Sequence, residues 1–421
     1  MEPIIFAIAL IITLGLFIRS IWVLKSKMAH TRPAPFDGKV KERLALTARV
    51  AFGQSKILRK PAIGLIHALV FWGFLVITIG SLEMVVDGLT GWHRSFSGLG
   101  GLYDVISASG DLFAIIVLTG VVAFLFRRLA MHIKRFKGIE ITPKNKLDAN
   151  IALLFILLLM VSLIGMNVFD ILTHPRGLAG FYPVSSIIAQ SIDWGPNHAA
   201  FFRMFWWMHI ILIFVFANYL PYSKHFHVFM SVPNVFFSNL KPLTYLPSMP
   251  EVTREVKLML NGEAFSSEAE PAPSRFGVKD VEDITWKNYL DSLTCTQCGR
   301  CTEVCPANIT GKLLSPRKLF VDLRNRMDEK KPLGGEDGRS LIGHYITPEE
   351  LWACTSCNAC ALECPLNISH PNLIMDMRRY LVLEEGNAPE GLNIMFANIE
   401  NNGAPWKFSA EDRLQWTEEG S

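Results

Sequence analysis

Five long runs of apolar residues fill the first half of the chain, at about 4–24, 62–86, 110–130, 149–171 and 202–222. Each holds about 20 residues, which as a helix crosses a hydrocarbon core of about 30 Å. Lipid leaves backbone groups no partner but their own helix, so the pattern predicts five membrane-spanning helices. The first run reads as a retained span rather than a cleaved leader. Its leading residues, Met1-Glu2-Pro3, carry no positive charge, and no small-residue cleavage site stands out.

Beyond residue 227 the pattern changes. Residues 228–280 read as a connector, with Pro233, Pro242, Pro247 and Pro250 followed by a polar linker from Ser266 to Ser274. A small soluble domain follows over 281–385. Helical periodicity is clear over 316–328, and Pro348-Glu349-Glu350 has the form of a helix start. The tail, 386–421, carries Gly and Asn clusters and is expected to wrap a partner or be loosely ordered. The predicted fold class is all-α: a five-helix transmembrane bundle over 1–227, then an α-helical domain.

Composition agrees. Of the 421 residues half are hydrophobic and 19% charged, against about 25% charged in soluble domains. A net charge of +3 gives no sign of nucleic-acid binding. The charges are placed unevenly. Ten Lys and Arg residues, Lys25 to Lys60, separate the first two spans, and seven, Arg127 to Lys146, separate the third and fourth; the other two loops hold only Arg94 and Arg176. Lys/Arg excess marks the cytoplasmic side, which puts the N-terminus outside and everything after the fifth span in the cytoplasm of a multi-pass inner-membrane protein.

All eight cysteines fall between 295 and 364. They form Cys295-Thr-Gln-Cys298-Gly-Arg-Cys301-Thr-Glu-Val-Cys305-Pro306 and Cys354-Thr-Ser-Cys357-Asn-Ala-Cys360-Ala-Leu-Glu-Cys364-Pro365. Both copies have the C-x2-C-x2-C-x3-C-P spacing of bacterial ferredoxins. Zinc sites pair two separated C-x2-C units and do not match this pattern. Three thiolates of one loop can reach three irons of a cubane, while the fourth follows too soon to close the same cluster. In two-cluster ferredoxins it ligates the other one. Cys295, Cys298, Cys301 and Cys364 are therefore assigned to one [4Fe-4S] cluster, and Cys354, Cys357, Cys360 and Cys305 to the second. The domain over 281–385 reads as an α-helical ferredoxin.

Ionisable residues inside spans are candidates for function. His67 lies near the cytoplasmic end of the second span, His209 in the outer half of the fifth, and His227 just beyond it. On one straight helix, residues 18 apart share a face about 27 Å apart, although Pro221 should bend it. That separation suits two haems stacked across the bilayer. His67 and His227 lie at one depth and are the expected axial pair of an inner haem b, with His225 as a competitor for His227. Glu83 and Asp87 could accept quinol protons, but snorkelling at the interface is the favoured reading. The Trp206-Trp207 pair is expected to face lipid or the interface.

The stretch Phe202-Arg-Met-Phe-Trp-Trp-Met-His209, with Pro221, His227 and Ser231-Val-Pro233, resembles the nitrate reductase gamma-subunit family of di-haem cytochromes b. The resemblance implies two haem histidines on this helix and a pair ten apart on the second span. His67 matches the first of that pair, but Ile77 stands where the second would be. An outer haem on His209 would need another partner, with His93, His174 or His198 as candidates. Glu349-Glu-Leu-Trp-Ala-Cys354-Thr355 and Met377-Arg-Arg-Tyr-Leu-Val382 resemble the cluster-binding proteins of heterodisulfide reductases and glycerol-3-phosphate dehydrogenase. Together the halves resemble membrane iron–sulfur oxidoreductases that link electron-transfer flavoprotein to menaquinone. The segment Ala404 to Trp416 looks like the stretch before the cysteine-rich CCG domains of fused relatives, so a CCG-type iron–sulfur protein on a separate polypeptide is expected. The implied function is electron relay between a cytoplasmic partner, two clusters, haem b and quinone. The same module run backwards would feed a disulfide or sulfur reductase; a redox sensor or plain anchor is the outlying reading.

Overall fold

The computed structural model describes residues 2–175, 177–261, 275–331, 335–409 and 411–418. The linker from Ser266 to Ser274, Arg176 and Gly334 lie outside them. Helices α1 (Glu2–Ala29), α2 (Val40–Thr47), α3 (Pro61–Thr90), α4 (Gly101–Leu129), α5 (Pro143–Thr173), α6 (Pro183–Ser191) and α7 (His198–Tyr219) make the first half. Among them α1, α3, α4, α5 and α7 are long and apolar enough to cross a membrane. Proline opens α3 and α5 at a position whose N–H has no helical partner anyway. Gly91, at φ +76°, ends α3 in the left-handed conformation that favours glycine.

The spanning helices close into a ring, with α3 on α4, α4 on α5, α5 on α7, and α1 against both α3 and α7. Phe6 of α1 makes the closure. It is fully buried, with its ring centroid 5.8 Å from Trp206 and 5.7 Å from Phe214 of α7. On the other side it seats on Gly88 of α3, where a Cβ would lie 2.5 Å from the ring. Trp206 and Trp207 therefore grip Phe6 of the first span and do not simply face lipid.

Two features depart from the apolar pattern. The third span starts at Gly101, well before 110. Its first turns carry Asp104, Ser107 and Asp111, which interrupt the apolar run; Ser107 and Asp111 are satisfied internally, Asp111 taking the amides of Val184 and Ser185 that open α6. The fifth span stops at Tyr219. Turns of 3-10 helix over Leu220–Tyr222 and Lys224–Phe226 flank an extended Ser223, and α8 (His227–Phe236) begins afresh. His209 and His227 thus sit on two helices, and straight-helix geometry does not relate them.

The second half consists of α9 (Pro250–Asn261), α10 (Trp286–Thr294), α11 (Arg300–Glu303), α12 (Pro306–Ile309), α13 (Pro316–Glu329), α14 (Pro348–Trp352), α15 (Ala359–Glu363), α16 (His370–Leu383) and α17 (Glu390–Asn402). Reciprocal capping boxes, Thr285 with Asn288 and Thr347 with Glu350, start α10 and α14. Leu293, Phe320, Leu323, Leu351, Leu373 and Met377 form a buried core between the cysteine loops. Among the described residues there is no strand, only isolated bridges such as Arg32 with Thr285. The tail is more regular than expected: α17 is a helix of 13 residues that leaves Ile394 and Ile399 exposed.

Candidate metal centres

The two cysteine loops repeat one backbone device. Gln297 and Gly299 in the first, and Ser356 and Asn358 in the second, have φ between +55° and +76°. These left-handed residues alternate with the cysteines and curl each loop so that its thiols converge. After the fourth cysteine, Pro306 opens α12 and turns the chain away.

The thiols gather into two sets. Cys305 lines one cavity with Cys354, Cys357 and Cys360, beside Pro316 and Pro371. Cys364 lies beside Cys295 and Cys298, and Cys301 is close to those three. Each fourth cysteine thus stands with the other motif's three. Burial, and then the neighbouring thiols, push Cys360 to about 12, while burial, then Cys298, does the same for Cys364. Burial pushes Cys295 up to about 11. Thiolates so crowded and dry require a cationic partner, which suits the donor set to iron cubanes.

The set with Cys364 packs against the basic loops of the bundle. Lys56 donates to the Cys364 carbonyl at 3.1 Å and Arg59 to that of Leu362 at 3.1 Å. Arg300, inside the first motif, donates back to the Lys56 carbonyl at 3.2 Å. Lys224, after α7, reaches Gln297 Oε1 at 3.0 Å. Arg317 of α13 is paired with Glu140 at 2.7 Å, both side chains 1% exposed, and also binds the carbonyls of Arg135 and Lys137. At Gly299 a Cβ would lie 2.6 Å from the Arg135 carbonyl oxygen and 2.7 Å from Arg317 Nη1. The second motif has Asn358 at the matching place, and Cys357 beside it is exposed. The loop charges that signalled topology therefore also dock the soluble domain, which sequence spacing could not reveal.

His67 and His227 are electrostatic neighbours at this end of the bundle. Nδ1 of His67 is buried without a partner. His227 Nδ1 bonds the Lys224 carbonyl at 3.1 Å, which leaves Nε2 for a ligand, the arrangement that orients metal-bound imidazoles. Burial lowers the pKa of His227, and burial followed by His227 holds His225 at about 3, so both rings are neutral. His225 sits in the 3-10 turn rather than on α8, and its ring centroid is 5.6 Å from that of His227. The two side chains are neighbours, not on opposite faces as a continuous helix would place them. These residues fit a haem held between His67 and His227.

A profile of the 4Fe-4S dicluster domain matches residues 294–368. Residues 294–368 belong to the 4Fe-4S dicluster domain family. The chain is 30% identical over 95% of its length to a probable iron-sulfur-binding oxidoreductase, FadF, of Bacillus subtilis, and 28% identical over 95% to an EtfAB:quinone oxidoreductase of Syntrophomonas wolfei. It spans only 59% and 56% of those two relatives. Over 34% of its length it is 35% identical to a probable membrane-anchored ferredoxin of Chromohalobacter salexigens, covering 24% of that relative. No solved structure matches. Together with the five apolar helices, these findings support a membrane-anchored iron–sulfur electron-transfer protein.

At the end of the bundle opposite the dicluster domain lies a buried polar cluster. Glu83 is 4% exposed and Asp87 8%, so neither snorkels. Asp87 accepts the amides of Arg94 and Ser95, and Glu83 that of Phe96 at 3.0 Å, fixing the loop between α3 and α4. His93, His174 and Arg94 all bind the carboxylate of Asp170. His209 is 1% exposed, with Nδ1 at 3.0 Å from the Leu159 carbonyl and 2.8 Å from Ser162 Oγ. It lines a cavity with Ile77, and none of His93, His174 and His198 joins it there. Sequence reading missed Tyr103, Asp111, Asn167 and Asp170 in this cluster. Several polar side chains spaced along apolar spans were the available signal.

Proposed function

We propose that the chain relays electrons between a cytoplasmic redox partner and the membrane quinone pool, from electron-transfer flavoprotein to menaquinone. Cys295, Cys298, Cys301 and Cys364 hold one [4Fe-4S] cluster, and Cys354, Cys357, Cys360 and Cys305 the other; His67 and His227 hold a haem b. Clusters and haem supply one-electron carriers when bound. The chain's own residues fix their order. Cys357 is exposed on the side where a partner can approach, while Lys56 joins the Cys364 set to the loop that leads into α3 and His67. The contact from Lys56 to the Cys364 carbonyl, which ties one thiol set to the loop leading into α3, is the observation that supports this reading. The basic loops favour a cytoplasmic dicluster domain, and a CCG-type iron–sulfur protein is proposed as a further partner, on the resemblance described above.

A likeness to one component of a CoB-CoM heterodisulfide reductase from Methanosarcina acetivorans, 32% identical over 24% of this chain and 53% of that relative, favours a second reading in which quinol feeds a disulfide reductase. The test uses membranes containing the full chain and its partners. Reduced electron-transfer flavoprotein should reduce added menaquinone, and Cys357→Ala should abolish the transfer. Transfer from quinol to a disulfide acceptor, with none from the flavoprotein, would replace the first reading by the second.

A further inference from the structure

The two oxygens of Asp170 are used separately. Oδ2 accepts from Arg94, Nη2 at 2.7 Å and Nε at 3.0 Å. Oδ1 faces two imidazoles, His93 Nε2 and His174 Nδ1, each at 3.0 Å. The two nitrogens and the oxygen lie within 4.8 Å of one another. Donors around a tetrahedral zinc ion, with bonds of about 2.0–2.1 Å, stand about 3.3 Å apart. Asp170 and His174 share one face in the last turn of α5, and His93 arrives from the loop between α3 and α4. Phe202 of α7 packs edge-on against the His93 ring at 5.8 Å. Asp170 is fully buried, whereas the imidazoles are 44% and 45% exposed, so water can complete a coordination shell.

The surroundings are anionic. Asp87 accepts the amides of Arg94 and Ser95, and Glu83, an electrostatic neighbour of Arg94, accepts the Phe96 amide and the Tyr103 hydroxyl. Asp111 accepts from Asn167, whose own oxygen accepts from Arg94. Each of these contacts brings a donor to a carboxylate, as anions require. Asp87, Glu83, Asp111 and Asp170 thus surround the single guanidinium of Arg94, a balance that favours a further cation.

We propose that His93, Asp170 and His174 bind one divalent transition-metal ion of the zinc type, which ties the loop between α3 and α4 to the end of α5. Two imidazoles and a carboxylate are a donor set suited to zinc. Arg94 on Oδ2 orients the carboxylate so that Oδ1 faces the ion, the role of an outer partner in metal sites. Each neutral imidazole moves its N–H to the water-facing nitrogen, His93 Nδ1 and His174 Nε2, and the freed lone pair binds the ion. The ion gives up water ligands, and no net proton is released. The site is independent of the relay proposed above.

The test dialyses the anaerobically purified full chain against zinc ion alone, with cluster iron counted before and after. One zinc per chain should bind, and its X-ray absorption should show nitrogen and oxygen neighbours at about 2.0–2.1 Å. His93→Ala and His174→Ala remove half-exposed side chains. Each should raise the Kd for zinc at least tenfold, because even loss of an outer partner costs about 10- to 100-fold. If either variant fails to accumulate, the absorption spectrum of the unaltered chain still decides, and zinc should raise its thermal midpoint. Sulfur neighbours at about 2.3 Å would place the zinc in the cysteine loops and overturn the proposal. Wild-type affinity in both variants would overturn it, and so would loss of a b-type haem in either. No zinc on the unaltered chain would leave Asp170 as a hydrogen-bonding anchor only.

Discussion

At the scale of single residues, Gly299 and Asn358 occupy equivalent places in two copies of one motif, both at positive φ. Only the first is glycine, because only the first is covered by the bundle's loop. Gly299→Ala would set a Cβ against the Arg135 carbonyl in a backbone region that costs a non-glycine residue about 1 kcal/mol or more. We expect this variant to lose the cluster of Cys295, Cys298, Cys301 and Cys364, and Asn358→Ala to keep both clusters, as counted by iron and sulfide analysis. The histidines give a second prediction. His67→Ala and His227→Ala should each remove the same b-type haem in reduced-minus-oxidised spectra, because either loss leaves the iron with one axial imidazole. Retention of that haem in His227→Ala with its loss in His225→Ala would transfer the ligand role to His225, whose ring lies beside that of His227.

At the scale of elements, the crossed cysteine arrangement makes the two motifs dependent on each other. Cys305 belongs to the first motif in sequence but lines the cavity of Cys354, Cys357 and Cys360. In anaerobically purified protein, Cys305→Ala should abolish the electron paramagnetic resonance signal of the cluster on the second motif and spare the other; Cys364→Ala should do the opposite. The converse pattern would show that each motif closes its own cluster. The dicluster domain was legible in the sequence because ligand spacing is local and the proline after each fourth cysteine marks the turn. The five spans were legible for a similar reason: apolar length is a property of consecutive residues. What pattern could not supply was partnership across the fold. Glu83 and Asp87 near a span end look like interfacial acids until the loop amides that bind them are placed beside them. Lys56 and Lys224 look like topology charges until they meet the dicluster domain. The helix break between Tyr219 and His227 was announced by Pro221, but its consequence, setting His225 next to His227, needed the backbone of Ser223.

At the scale of the whole molecule, the docking contacts of the dicluster domain described above come from the two basic loops and from Lys224 just beyond the fifth span. The domain and those loops therefore share one side of the membrane. A reporter joined at Ser421 should be active only in the cytoplasm, and an engineered cysteine beside Arg94 should react with an impermeant reagent from outside. Labelling there only after lysis would reverse the topology.

The contact between Arg317 and Glu140 also bears on the order in which the protein is made. Glu140 leaves the ribosome 177 residues before Arg317. Until the later segment arrives, its carboxylate has to stay in water at the membrane surface; once buried, the pair is mutually dependent, and removing one partner of such a pair costs about 3–5 kcal/mol. Closure of that contact also seals the first cysteine loop under Arg135 and Lys137. Iron and sulfide should therefore enter the first loop before the domain closes onto the loops, so cluster insertion precedes the last folding step. In pulse-chase experiments, starving cells of iron should hold the new chain protease-sensitive between Arg127 and Lys146, and Glu140→Ala should leave that segment sensitive even when iron is supplied. Equal protection of that loop with and without iron would show that closure does not wait for the cluster.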